Sequence, residues 1–165
     1  MGRQAGIAGI HGTSWTNVAV KVQTSVMNIQ TYADLRHRKQ VIALWKAVFG
    51  YEAIHNEPGL VIDKKIAVDD LFYVAVNEGI VLGTIMGGYD GHRGWIYSVA
   101  VHPDNRKQGV GTELLNHVQE RLASLGCIKV NIQIVEGNGD VQTFYRANGF
   151  AVEERISMGK HLPEE

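Results

Sequence analysis

A single cysteine, Cys127, is all the thiol this chain carries. That excludes an internal disulfide framework and any cysteine-based zinc cluster, and it fits a reducing cytoplasm. Placed where a helix gives way to a strand, Cys127 is expected to fill core space. Excess charge is lacking too: sixteen Lys and Arg stand against seventeen Asp and Glu, a formal net of −1. Such a balance gives no electrostatic footprint for nucleic acid or for an anionic membrane surface. Any anionic ligand must therefore be held locally. No apolar run approaches the ~18 residues that span a membrane, no repeat or long linker divides the chain, and no metal is expected.

What is present suits one globular domain: 165 residues, of which 45% are hydrophobic, can bury a proper core. Residues 1–26 stand apart, with four glycines, Arg3 and Lys21 but no acids, and apolar residues without helical period. The stretch Ala5 to Ile10 is cut by Gly6 and Gly9 and ended by His11, a poor core for a signal peptide. We read 1–26 as an N-terminal appendage, poorly ordered or non-native, and 27–165 as the domain, beginning at Met27. Without Arg3 and Lys21, fourteen basic residues face seventeen acidic ones, a net of −3.

Asn28 to Tyr32 reads as a first strand. Asp34 is a candidate N-cap for a helix whose apolar stripe is Val41, Leu44, Trp45 and Val48, stopped by Gly50. Glu57-Pro58 can open a second helix to about Ala67, since proline is tolerated in a first turn. Leu71 to Asn77 and Ile80 to Tyr89 are β-rich runs joined by Glu78-Gly79, a hairpin signal. Gly87-Gly88 and Asp90-Gly91 read as the turn into a strand from Trp95 to Val101. Leu114, Leu115, Val118, Leu122 and Leu125 trace a helical face that Gly126 ends. Lys129 to Ile134 alternates as a strand, Asn138 to Asn148 forms a short helix, and Phe150 to Met158 a last strand. The order β-α-α-β-β-β-α-β-α-β predicts an α/β (α+β) fold, one mixed sheet with helices packed on it.

The most informative stretch is Arg106-Lys107-Gln108-Gly109-Val110-Gly111-Thr112, a glycine-rich turn between a strand and an amphipathic helix. Such a turn aims free backbone N–H groups and the positive end of the helix dipole at one point, a natural phosphate site. It lacks the Gly-x-x-x-x-Gly-Lys-Ser/Thr spacing of a P-loop and the third glycine of a dinucleotide fingerprint. Nucleotide hydrolysis and hydride transfer drop out with those motifs.

What remains, Arg106-x-x-Gly109-x-Gly111 directly after Val101-His102-Pro103, resembles the acetyl-CoA signature of the GNAT N-acetyltransferases. Asn138, seven residues before Tyr145, and Phe144-Tyr145-Arg146-Ala147-Asn148-Gly149-Phe150 resemble the family's Phe-Tyr-x-x-x-Gly-Phe. The element order also matches from Met27 to about Met158. The resemblance implies a central, mostly antiparallel sheet with a splayed strand pair that holds acetyl-CoA. Backbone amides from Gln108 to Thr112, through Gly109, Val110 and Gly111, would hold the pyrophosphate, with Arg106 and Lys107 adding charge at its mouth. The strand before the turn would splay near a bulge, leaving main-chain groups of Val99 and Val101 for the pantetheine arm. Asn138 would cap its helix and also reach the CoA arm.

Tyr145 matches the family's general acid in a direct attack within a ternary complex. A phenol near pKa 10 would protonate a thiolate titrating near ~8.5, an uphill transfer of roughly 2 kcal/mol that a strengthening hydrogen bond can offset. For the base, some relatives carry a glutamate where this chain has Tyr97 or Gln133. Glu136, His102 and a water chain are the alternatives, and water held by Tyr97, Gln133 and backbone carbonyls is the favoured one. A weak base favours an acceptor amine that loses its proton easily: neutralising a lysine side chain near neutral pH costs ~4 kcal/mol, an α-amine less than about 1. The expected partner is an amine on a small molecule or at a peptide or protein N-terminus; the resemblance implies an acceptor groove between the first two helices and the later loops, with Tyr51, His55 and Glu57 as candidate contacts. Exposed sheet edges leave room for homodimer pairing.

Overall fold

The structure, a computed structural model, describes residues 26–50 and 54–162. The appendage, apart from Val26, and Tyr51 lie outside them. Strand β1 (Asn28–Thr31) leads into helix α1 (Asp34–Phe49), then α2 (Pro58–Val68), strands β2 (Phe72–Asn77), β3 (Ile80–Tyr89) and β4 (Gly94–Val101), helix α3 (Val110–Ser124), strand β5 (Val130–Ile132) and helix α4 (Gly139–Ala147). The sheet runs β1-β2-β3-β4-β5 in space, antiparallel except for the parallel β4–β5 pair. The expected mixed α/β architecture is present.

Period-two alternation divides the core into two layers. Leu71, Tyr73, Ala75, Ile85 and Ile96 meet Val110, Leu114, Leu115, Val118 and Leu122 of α3 on one face. Phe72, Val74, Val76, Met86 and Ala100 meet Val41, Leu44 and Trp45 of α1 and Ile62 of α2 on the other. Each fully buried large side chain contributes about 1.5–3 kcal/mol.

Helix α3 lies close on the sheet because glycines floor its track. A Cβ on Gly83 would meet Val110 Cγ1 and Leu114 Cδ1 at 3.1 Å, one on Gly87 would meet Val118 Cγ2 at 2.7 Å, and one on Gly94 would meet Leu122 Cδ1 at 3.1 Å. Gly87 and Gly88 thus belong to β3 rather than to a turn, and the turn into β4 is the shorter Asp90–Arg93 segment. Cys127 packs in this core as expected.

Three further expectations need correction. Asp34 is the first residue of α1 and not its cap: Ala33 holds that position, with its N–H donated to His37 Nδ1 at 2.9 Å. Leu125 ends α3 with its side chain exposed. Residues 150–158 form no strand, because a strand needs a ladder partner and among the described residues their only backbone bonds are local, Phe150 N–H to Tyr145 O and Arg155 N–H to Glu153 O. Among the described residues no helix is long and apolar enough to cross a membrane.

Candidate active site

Beyond Val101 the chain makes a 3₁₀ turn over Pro103–Asn105 and a second turn over Arg106–Gly109. Lys107 and Gly109 both adopt left-handed backbone, φ 59° and 84°, and Gly109 caps α3 without a side-chain bond. Only glycine takes that conformation without strain. The first amide in α3 to find a carbonyl is Glu113 N–H, on Gly109 O at 3.0 Å. The N–H groups of Gln108, Gly109, Val110, Gly111 and Thr112 find no acceptor among the described residues. Gln108 Nε2 folds back onto Asp104 O at 2.9 Å, while Arg106 and Lys107 stand exposed. Gly111 serves packing: a Cβ there would press on Phe144 of α4 at 3.2 Å.

Strands β4 and β5 pair only where Gly94, Trp95 and Ile96 meet Val130, Asn131 and Ile132, and past Ile96 they form a fork. There β4 bulges: pairing with β3 shifts between Thr84 and Met86, Ser98 and Val99 have no ladder partner, and Ser98 has φ 51°. The bulge is clamped from the α1 side, where Trp45 Nε1 donates to Thr84 Oγ1 at 2.8 Å and Thr84 Oγ1 donates to Ser98 O at 3.1 Å. His102 N–H bonds Leu82 O at 2.8 Å. Antiparallel alternation then turns the N–H and C=O of Val101 toward the open side of the fork, where the C=O accepts from Arg106 Nε at 3.4 Å.

Tyr145 sits in α4 with 7% of its surface exposed, its ring edge-on to Phe144 and Phe150. Its hydroxyl has no hydrogen-bond partner among the described residues, and burial pushes its pKa up to about 12. Asn138 caps α4, its Oδ1 accepting from Val141 N–H at 3.3 Å.

Tyr97 and Gln133 occupy the next register positions after the last β4–β5 pair, at the mouth of the fork. They are engaged separately. Tyr97 Oη accepts from Lys65 Nζ at 3.0 Å and donates to Gly87 O at 3.3 Å, whereas Gln133 Nε2 donates to Ser157 Oγ at 2.7 Å. Lys65, 5% exposed, also donates to Gly87 O and pairs with Asp69 at 2.6 Å. His102 caps the 3₁₀ turn, Glu136 is exposed in the loop after β5, and Glu57 caps α2 through Leu60 N–H at 2.7 Å, which holds its carboxyl below the usual range. His55 faces His161, ring centroids 5.1 Å apart.

Sequence reasoning passed over Lys65, Thr84 and Trp45 as site residues. For Lys65 a signal existed: it lies three residues after Ile62, on the buried face of α2.

The model of the acetyltransferase (GNAT) family matches residues 38–150. Similar solved structures include an aminoglycoside N-acetyltransferase, AAC(6')-Iy, in complex with CoA, 20% identical, with a TM-score of 0.70 over 85% of this chain and 97% of that one. A glucosamine-6-phosphate N-acetyltransferase from Arabidopsis thaliana is 21% identical, TM-score 0.62, over 84% and 99%. A transcriptional regulator from Bacillus halodurans is 22% identical, TM-score 0.65, over 83% and 100%. At these identities the likeness speaks for fold.

Proposed function

The chain belongs to the GNAT acetyltransferase family, and from that premise we propose that it transfers an acetyl group from acetyl-CoA to a primary amine, on a small molecule or at a peptide or protein N-terminus, by direct attack in a ternary complex. The observation that carries this reading is the run of partner-free N–H groups from Gln108 to Thr112 beside the open fork. Those amides receive the pyrophosphate, Arg106 and Lys107 add charge at its mouth, and main-chain groups of Val99 and Val101 take the pantetheine arm, with Asn138 near it. The amine nitrogen attacks the thioester carbonyl, the C–S bond breaks, and Tyr145 gives its proton to the departing sulfur. The proton shed by the amine returns to the phenol through water.

With Tyr145 at about 12, transfer to a free thiol near ~8.5 is uphill by about 3.5 units, or ~5 kcal/mol. The same burial must act on the leaving thiolate for the phenol to serve. On the acceptor side, Tyr97 and Gln133 stand at the fork's mouth and neither is a carboxylate that could take the amine's proton. That supports an acceptor which arrives neutral at modest cost, an α-amine or another amine of low pKa.

The test is CoA release across a panel of amines, preceded by a thermal shift with acetyl-CoA. We expect stabilisation by acetyl-CoA, and kcat/KM that rises with pH and levels off above ~8 for the best acceptor. A rise continuing toward pH ~10 would overturn the choice of a low-pKa amine, and no shift with acetyl-CoA would sink the whole reading. A second reading, an acyl-CoA-binding regulator with little turnover, is favoured by the lack of a carboxylate at Tyr97 and Gln133. It predicts stabilisation by acetyl-CoA and no CoA release with any amine.

A further inference from the structure

Among the described residues three polar side chains are buried: His37, Lys65 and Thr84. His37 accepts Ala33 N–H at the start of α1, and Lys65 is tied to Gly87 O and Asp69. Thr84 is different. It pairs with Ala100 on the sheet face whose other buried residues, Val74, Met86 and Ala100 among them, are apolar. A valine there would suit both the strand and the layer, because the two side chains share nearly one shape. What the hydroxyl adds is a relay. Trp45 Nε1 donates to it at 2.8 Å, and it donates to Ser98 O at 3.1 Å. The indole is itself held, stacked on Phe72 with ring centroids 5.8 Å apart. By occupying a lone pair of the hydroxyl, it turns the hydroxyl proton toward Ser98.

Ser98 is where β4 departs from regular pairing. Its φ of 51° is left-handed, uncommon for a residue that carries a Cβ, and neither it nor Val99 has a ladder partner. Such a backbone persists only where its surroundings hold it. The C=O and N–H of one trans peptide point in opposite directions. With Ser98 C=O drawn toward Thr84, on β3 and on the α1 face, Val99 N–H is turned away from both, toward the fork. Without the relay this peptide is free to rotate about its neighbouring bonds and present its oxygen instead. The two ends differ in sign, and charge gathers on a thioester oxygen as an amine attacks it. A fork that offers N–H favours the step, and one that offers C=O opposes it.

We propose that Trp45 and Thr84 are positioning residues for the transfer step, holding the Ser98–Val99 peptide with its N–H toward the acyl end of the donor. The inference rests on the acetyl-transfer reading, in which an arm running along β4 from Val101 to Val99 brings its thioester to the bulge. At 1% and 0% exposure, neither side chain reaches a ligand. Both act through the backbone of β4, so the amides of Gln108 to Thr112 keep their hold on the pyrophosphate whatever happens at Thr84.

The test compares three variants with wild type. Thr84→Val keeps the shape and removes the relay, Thr84→Ser keeps the hydroxyl, and Trp45→Phe removes the indole N–H. Three quantities are read: kcat for acetyl transfer, CoA affinity by calorimetry, and the amide NMR signal of Val99 as acetyl-CoA replaces CoA. Thr84→Val is expected to melt cooperatively and to bind CoA within about twofold of wild type, with kcat lower by about tenfold or more. Thr84→Ser should stay within about threefold of wild-type kcat, and Trp45→Phe should fall between the two. The Val99 signal should move in wild type when acetyl-CoA replaces CoA, and stay still in Thr84→Val. Unchanged kcat in Thr84→Val beside an active wild type overturns this inference alone, as does a fall in CoA affinity that matches the fall in kcat. Where wild type binds acetyl-CoA and no amine is acetylated, the Val99 signal decides, and equal displacement in both proteins overturns the inference. A wild type that fails to bind acetyl-CoA overturns the acetyl-transfer reading, and this inference with it.

Discussion

Between Val99 and Thr112 the chain offers its open polar groups from the backbone, whereas at the fork's mouth the polar groups that gather are side chains of α2, β4, β5 and the segment after α4. The first set needs only a bulge, a left-handed Gly109 and a helix start, all within fourteen consecutive residues. The second rests on two separate pairs, Lys65 with Tyr97 and Gln133 with Ser157, drawn from ninety-three residues of chain. A backbone cradle cannot tell one acyl carrier's remainder from another, because every residue has an amide. Side chains can, and acceptor choice belongs with them.

Tyr145, packed among Phe144 and Phe150 on the α3 side of the sheet, gives the largest expected effect. Tyr145→Phe keeps the ring that packs on Phe144 and Phe150 and removes only the hydroxyl with its proton. We expect kcat to fall by at least about 10²-fold, the usual contribution of a positioned acid, with acetyl-CoA affinity within about twofold. The pH profile carries its own sign check. A phenol raised to about 12 in the folded protein stays protonated through pH 10, so wild-type kcat should show no alkaline limb from loss of the acid below that pH. A limb near 10 would place the titrating tyrosine elsewhere.

Gly109→Val tests the backbone side alone. A β-branched residue at φ 84° costs on the order of 1–3 kcal/mol, and relief of that strain must rotate the amides that follow. The expected result is acetyl-CoA affinity weakened about tenfold or more and the acceptor's KM at saturating acetyl-CoA changed less than twofold. Loss of both in equal measure would mean the two sides are one unit.

How much of this was legible follows the same division. The turn could be read from local sequence, a glycine pair after a strand, whereas the splay was expected, and Tyr145 singled out, only through the family resemblance that this pair and the Phe144-Tyr145 pair before Gly149 carry. The bulge clamp could not. Trp45 read as a core residue of α1 and Thr84 as strand filler, and only the fold brings indole, hydroxyl and the Ser98 carbonyl into line. Gly87 misled for a related reason, since its need for a missing side chain comes from Val118 across the layer and not from its own backbone. Residues 150–158 have strand-like alternation and no strand, because alternation describes which face a side chain prefers and says nothing about who supplies the ladder.

The smallest effect is also the most specific to the acceptor side. Lys65→Met keeps most of the side chain's volume but removes the donor to Gly87 O and Tyr97 Oη and the partner of Asp69. Gly87 O keeps Tyr97 Oη as a donor and Asp69 Oδ1 keeps Leu71 N–H, so the loss is that of one charged donor, about 1.5–3 kcal/mol of stability. Tyr97, released from α2, is left with its 3.3 Å bond to Gly87 O alone and is less firmly fixed at the fork. The acceptor's KM should rise severalfold while the thermal shift with acetyl-CoA, measured from the variant's own lower baseline, stays the same size. If Lys65 mattered only to the fold, stability would fall and KM would not move. If the cation's repulsion of an incoming ammonium were its main influence, KM would fall instead, most strongly below the acceptor's pKa, and the comparison between the two sides would have to be redrawn around charge rather than position.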